Sequence, residues 1–507
     1  MSVIIDNSIK KAAKGTVIVL VGTVVSSLLL FGIKVLIVRT TTTDELGAYT
    51  LTVAVVSILT LVATLGIHEG IARYVAIYLG SNNRPDADSL SRTALRIVFI
   101  SGVVAAGTLY LSADLLAIVV FRNVELAHLF RIAALSIPFF VLLHTLGAIM
   151  RGHGIVVSRI YFMDIGIPLL FAVSLCGIYY WRLPFISIMY AYVASIVVVC
   201  LFMVGDSYRK IGVAPFSLAE SLPSGELMRF SLPLLIGIVM AMVMNWADVL
   251  LLGRYTGSKT VGIYDAGSSL ARLLQFPLNA LEFVFLPIAG ELHARGQSDE
   301  LSRTYQVLTK WVFFLTFPIF MILFTYPEQI ITFLFGARFI AAVPALRILA
   351  CGYLFHTFWG PNGILMVIIG MSREISLVSV LGAIINIAAN YLLISWYAQG
   401  IVGAAGATIA TYVALNLLVS YIIFRKTGIQ PFSRSYLKSI AGAVCVGGIF
   451  FLVSDSLSFS IWFLPLYLVF IATGNGLTLL LTKSIEREDV SLLKTVLTRV
   501  LGARAGL

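Results

Sequence analysis

Asp265, Ser268, Ser269, Arg272, Gln275, Asn279 and Glu282 fall at offsets 0, 3, 4, 7, 10, 14 and 17 from the first. On an α-helix these offsets share one face, a stripe about 25 Å long at ~1.5 Å per residue. The groups it gathers do the chemistry of binding. A guanidinium holds an anion, and amides and hydroxyls hydrogen-bond a polar ligand. The carboxylates balance charge or respond to ions. The rest of the same segment is Leu, Phe, Ala and Gly, apart from Pro277, which interrupts the helix and is placed to bend it. So long a polar stripe does not face lipid; it packs on a second polar stripe or lines water.

Fainter versions occur elsewhere. Thr23, Ser27 and Lys34 lie at offsets 0, 4 and 11 of the first apolar run. The second run carries Ser57, Thr60, Thr64 and His68 with Glu69 beside them, the seventh carries Asn245 and Asp248, and the tenth carries Arg347 and His356. A charge inside hydrocarbon costs about 2.5–3.5 kcal/mol even on the lenient insertion scale, so such residues face a wet cavity or one another. Lys34, Glu69, Asp248, Asp265, Arg272, Gln275, Asn279, Glu282 and Arg347 are therefore expected to line a hydrated cavity, with Lys34 the natural countercharge of Asp248. Blander roles suit others. Arg131 is placed to snorkel to the interface, and His144 and His356 read as hydrogen-bonded packing residues. The division is even for Arg39 and Arg254, which could equally anchor the outer surface.

These residues need membrane helices to hold them. The chain has 507 residues, 59% hydrophobic and 12% charged, where a soluble domain carries about 25% charged residues. Its mean hydropathy is +0.99. Apolar runs near 20 residues recur throughout, each enough to cross ~30 Å of hydrocarbon. The expected fold class is an all-α integral membrane protein of about fourteen transmembrane helices, at roughly 16–38, 46–70, 94–112, 124–150, 158–180, 184–204, 227–252, 260–288, 305–326, 341–370, 374–396, 402–424, 435–454 and 459–482. The first run reads as a permanent helix and not a cleaved signal peptide. The longest connections, 205–226 and 289–304, have room for a surface helix but not for a folded domain. Twenty-five of the 35 Lys and Arg residues fall on the side shared by the N-terminus, six on the other and four within spans. The positive-inside rule then places both termini in the cytoplasm, and the net charge of +11 is a membrane-facing property, with no nucleic-acid partner implied. From Ser484 the tail is amphipathic, Val490, Leu493, Val496, Leu497, Val500 and Leu501 sharing a face suited to the inner leaflet. Cys176, Cys200, Cys351 and Cys445 lie in apolar runs and read as buried small hydrophobes, without disulfide or metal.

A shift of 215 residues places Arg39 on Arg254, Gly47 on Gly262 and Tyr49 on Tyr264. Both copies join one span to the next at the outer surface, and six spans separate them, so they share an orientation. This is a parallel repeat about an axis along the membrane normal. It predicts a six-helix lobe over 16–204, a cytoplasmic linker over 205–226, a second six-helix lobe over 227–424 facing the first across a cleft, an added helix pair over 435–482, and a tail over 484–507. Lys34 and Asp248 correspond if a one-residue gap is allowed. GRYTGSKT at 253–260 misses the phosphate-loop pattern by one residue and comes after a membrane helix, not a strand. Gly403, Ala407 and Thr411, four apart, read as close helix packing.

Three segments carry a resemblance. FGIKVLIVRTTTTDELGAYTLTVAVVSILTLVATLGIHEGIARYVA resembles the first two helices of bacterial and archaeal polysaccharide flippases. ADVLLLGRYTGSKTVGIYDAGSSLARLLQFPLNALEFVFLPIAGEL is similar to their helices 7 and 8, and NIAANYLLISWYAQGIVGAAGATIATY to their helices 11 and 12. The resemblance is to the multidrug/oligosaccharidyl-lipid/polysaccharide exporter superfamily and implies two six-helix lobes in a V. Within it, basic residues in helices 1 and 8 and a Glu-Gly in helix 2 of lipid II flippases look like Lys34, Arg272 and Glu69–Gly70, although Lys34 stands where those proteins have an Arg–Asp pair.

The expectation is then a flippase in the cell membrane, not an enzyme, with no cofactor or metal. It would move a polyprenyl-(pyro)phosphate-linked oligosaccharide from the inner to the outer leaflet by alternating access. A coupling ion, H+ or Na+, and a polysaccharide polymerase or glycosyltransferases are the partners this implies, besides membrane lipids. The alternative is a cation-coupled multidrug exporter of the same superfamily.

Overall fold

The computed structural model describes residues 22, 23, 25–213, 225–397, 400–454, 461–484 and 489. Regular structure among them is entirely helical. Two compact units divide the chain, Met1–Gly262 and Ile263–Leu507.

The first unit contains α1 (25–40), α2 (Thr43–Ala63), α3 (Ile67–Gly80), α4 (Arg84–Leu115), α5 (Glu125–Ala134), α6 (Ile137–Gly152), the short α7 (Val157–Arg159), α8 (Ile167–Tyr180), α9 (Ile186–Ile211) and α10 (Gly225–Thr256). A capping box starts α2: the Glu45 backbone N–H donates to the Thr42 hydroxyl (3.2 Å), and the Thr42 N–H donates to the Glu45 carboxylate (2.7 Å). A left-handed residue pair, Leu65 and Gly66, separates α2 from α3. Pro168 has no N–H to offer the carbonyl four residues back, and the chain widens into a π turn over Ile160–Gly166 just before it.

In the second unit, α11 (Ser258–Ala271, begun in the first) is followed by a 3-10 turn at Arg272–Gln275, then α12 (Phe276–Ala294), α13 (Ser298–Thr325), α14 (Pro327–Phe335), α15 (Val343–Phe358), α16 (Asn362–Ile368), α17 (Ser372–Asn390), α18 (Gly400–Thr427), α19 (Arg434–Ser454) and α20 (Leu464–Leu481). Its core joins Phe285, Ala289, Leu308, Val312, Leu365 and Met366, all buried. Small residues set the closest approaches, as expected where lipid removes the hydrophobic drive between helices. A Cβ on Gly352 of α15 would press on Ile409 of α18, and the Gly403, Ala407 and Thr411 stripe of α18 is buried.

The helix bounds and the burial of the cysteines differ from expectation. Twelve helical stretches among the described residues are long and apolar enough to cross a membrane, thirteen with the bent pair Glu125–Ala134 and Ile137–Gly152. Fourteen would also require the run at 16–38, only part of which is described. The helices outrun their apolar windows: Thr43–Gly80 spans 38 residues and Arg84–Val120 spans 37. Hydropathy marks the part that sits in hydrocarbon, and charged stretches such as Arg84–Arg96 remain helical. Helix fills most of the second long connection, as its length allowed, since α12 and α13 leave only 295–297 between them, and α9 runs on into the first as far as Ile211. Of the cysteines only Cys200 is buried; Cys176, Cys351 and Cys445 are on the surface, where a weakly polar thiol suits a lipid-facing position. Arg131 pairs with Asp114 at 2.5 Å and lies over the Tyr110 ring. The amphipathic tail lies outside the described residues apart from Ser484 and Asp489.

Candidate substrate-binding site

In the first unit α10 packs along α2 and α3. At one end, Gly47 of α2 abuts Ser258 and Gly262 at the start of α11; a Cβ on either glycine would overlap backbone of the other helix. At the far end, Gly66 and Gly70 abut Ser231, and the Arg73 guanidinium lies 4.9 Å from the centre of the Phe230 ring. Between these closures is a cavity of about 220 Å³ lined by Val56, Ser57, Thr60, Leu61, Phe140, His144, Tyr192 and Met242. The Thr60 hydroxyl is buried there without a hydrogen-bond partner. His144 stacks on Phe140 and meets His68 edge-on at 6.0 Å.

Of the residues expected in this unit, Lys34 is half-buried on α1. Glu69 is exposed, with its carboxylate 3.6 Å from His68 Nε2. Asp248 is 9% exposed and accepts from the Val249 N–H at 2.9 Å.

In the second unit the polar stripe begins buried and ends open. Asp265 and Ser268 are buried, Arg272 and Asn279 are exposed, and Gln275 and Glu282 are half-buried. The Arg272 guanidinium donates to Ser268 Oγ at 3.2 Å. The interruption expected at Pro277 takes the form of the 3-10 turn immediately before it: the Phe276 N–H reaches back three residues to the Leu273 carbonyl, and proline has no N–H to offer. Four residues at 3.0 instead of 3.6 per turn rotate the rest of the helix by about 80°. Asn279 and Glu282 therefore do not continue the straight line of Asp265 and Ser268. Gln275 Nε2 donates to the Tyr412 hydroxyl of α18 at 3.2 Å. Arg347 is exposed on α15, where its Nε donates to the Phe324 carbonyl at 3.2 Å.

Sequence reasoning missed three features. The Tyr192 side of the cavity comes from α9, which shows no polar periodicity. Tyr412 and Asn416, one turn apart on α18, partner residues far away in the chain. Lys310, one of the 25 basic residues expected on the side of the N-terminus, is 3% exposed and donates to the carboxylate of Asp489 (2.6 Å), the Ser484 carbonyl (2.9 Å) and Ser435 Oγ (3.3 Å). His356 behaves as expected, hydrogen-bonded to Asn416 within the helix pack.

A multi-pass helical chain of this kind has the fold of known membrane transporters. Lipid II flippase MurJ, in an inward closed conformation, superposes with a TM-score of 0.72 over 90% of this chain and 97% of its own at 13% identity. An inward-facing multidrug-resistance MATE transporter superposes at 0.66 over 80% of this chain and 99% of its own, at 16% identity. Residues 35–344, more than half of the chain, match the model of a family described as polysaccharide biosynthesis protein, and the chain belongs to that family. Two curated relatives match in part. An uncharacterised membrane protein of Methanocaldococcus jannaschii is 26% identical over 37% of each chain. The teichuronic acid biosynthesis protein TuaB of Bacillus subtilis is 25% identical over 23% of this chain and 24% of its own. The matches thus span well under half of either relative.

Proposed function

We propose that this protein is a flippase that carries a polyprenyl-(pyro)phosphate-linked oligosaccharide from the inner to the outer leaflet for cell-surface polysaccharide assembly. The observation that carries this reading is membership of a polysaccharide biosynthesis family by a chain with a transporter fold. The physics supports it. A sugar headgroup is too hydrophilic to cross ~30 Å of hydrocarbon alone, and a phosphate needs cations. Arg272, exposed at a break in its helix, is the chief phosphate contact in this reading, with Lys34 and Arg347 as further cations. Asp248, Asp265, Glu282 and Glu69 balance charge or respond to a coupling ion, and Gln275 and Asn279 hydrogen-bond sugar hydroxyls. Both termini are cytoplasmic, and access alternates between the two sides.

The test is substitution of Arg272 by Ala in cells that depend on this protein for surface glycan. Lipid-linked oligosaccharide should accumulate on the inner leaflet and surface glycan should vanish, at a normal level of protein in the membrane. Wild-type glycan in that variant removes Arg272 from the mechanism.

A further inference from the structure

A polar chain runs through the second unit from the break in the α11–α12 helix. Gln275 donates to the Tyr412 hydroxyl (3.2 Å). The Tyr412 ring lies against His356, with centroids 4.7 Å apart, and against Tyr353 at 5.4 Å. Asn416, one turn beyond Tyr412, donates to the Tyr412 carbonyl (2.7 Å) and shares a hydrogen bond with His356 Nδ1 (3.0 Å). Its side-chain oxygen accepts from Asn362 (3.1 Å), which also donates to Ser420 Oγ (3.3 Å). Asn416 and Asn362 are 3% and 5% exposed.

This chain draws on the 3-10 turn and three helices, α15, α16 and α18. Polar side chains inside a membrane domain are costly unless satisfied, and they mark function more often than packing. Apolar residues of the same shape would join these helices as well. Polar groups add direction, and here they lead to Gln275, the last residue of the turn that begins with Arg272. A 3-10 turn has poorer hydrogen-bond geometry than α-helix, and Pro277 withholds one further backbone donor from it. An external tether therefore has something to hold.

We propose that Tyr412 is a positioning residue: with its ring packed on His356, which Asn416 holds in turn, its hydroxyl fixes the Arg272–Gln275 turn through Gln275 and so aims the Arg272 guanidinium at the substrate phosphate. This rests on the reading of Arg272 as a phosphate contact. Tyr412→Phe keeps the ring and removes the tether from one side; Gln275→Leu removes it from the other.

The experiment measures initial transport rates of lipid-linked oligosaccharide in proteoliposomes for Tyr412→Phe, Gln275→Leu, the double variant and Arg272→Ala. Each single variant should raise the apparent KM about three- to tenfold, the scale of one lost hydrogen bond. The melting temperature should fall by no more than about a degree or two, and the double variant should be no worse than Gln275→Leu alone, which loses a sugar contact besides the tether. An unchanged KM in Tyr412→Phe, or a double variant that multiplies the effects of the two singles, overturns the positioning role. Loss of transport in Arg272→Ala with unchanged KM in the tether variants overturns this proposal alone, whereas wild-type transport in Arg272→Ala overturns the reading beneath it.

Discussion

Gly47 and Gly262 meet reciprocally: a Cβ on Gly47 would strike the carbonyl of Ser258, and one on Gly262 would strike the carbonyl of Thr43. A shift of 215 positions turns each of these pairs into the other. The echo in the sequence is thus also a contact, in which the starts of α2 and α11 cross at equivalent points, closer than any side chain allows.

Gly47→Ala and Gly262→Ala should each destabilise the purified protein by about 1–3 kcal/mol, the usual range for overpacking. Because both act on one crossing, the double variant should cost less than the sum of the two. Gly107→Ala, where a new methyl meets open space in the middle of α4, should be neutral or slightly stabilising. Thermal unfolding in detergent reads all four. Equal melting temperatures for the Gly47, Gly262 and Gly107 variants would remove the crossing from the account.

Lys310 and Asp489 form a buried ion pair joining α13 to the segment after α20. Both carboxylate oxygens of Asp489 are engaged, one by Lys310 and the other by the Trp311 Nε1–H at 2.9 Å. Removing one member strands a buried charge, at a typical cost of about 3–5 kcal/mol. Asp489→Ala should therefore lower the melting temperature strongly. Lys310→Met in the same chain should recover much of the loss, since the stranded charge goes with it. A double variant as unstable as Asp489→Ala would show that the damage has another source.

The polar face of α12 should be wet and its apolar face should not. After Cys176, Cys200, Cys351 and Cys445 are replaced, single cysteines at 279 and 282 should react with a hydrophilic maleimide in intact membranes. Cysteines at 283 and 286, where Phe283 and Leu286 are exposed, should resist it. Equal reactivity at all four would mean that polarity on this helix does not track water.

Close packing on α18 gives one further outcome. Ala407 is fully buried, and Ala407→Leu should cost about 1–3 kcal/mol and lower the yield of folded protein. Chromatography of the solubilised variant would show the loss as an aggregated fraction, and a wild-type profile would contradict it.

The membrane class, the Gly47–Gly262 echo and the packing stripe on α18 were legible in the sequence because each is local or periodic. Helix lengths were not, since a hydropathy window sees hydrocarbon depth and α3 and α4 continue as helix beyond it. The polar stripe looks straight when a constant 3.6-residue period is applied across Pro277; the four-residue 3-10 turn rotates Asn279 and Glu282 away from that line. The Lys310–Asp489 pair was invisible for another reason. Its members stand 179 positions apart, and a lysine near the end of an apolar run looks like an inner-surface charge until a fold supplies the carboxylate. The same holds for Gln275 and Tyr412, 137 positions apart.

The most direct test of the transport claim is a leaflet-protection assay. Purified protein is reconstituted into vesicles carrying a lipid-linked oligosaccharide, and the fraction of headgroups open to an external glycan-cleaving enzyme is tracked in time. The account predicts that vesicles with wild-type protein expose nearly the whole pool, while empty vesicles and those with Arg272→Ala keep the inner half protected. Protection in wild-type vesicles equal to that in empty ones, with folded protein present and a coupling gradient of H+ or Na+ applied, would contradict it.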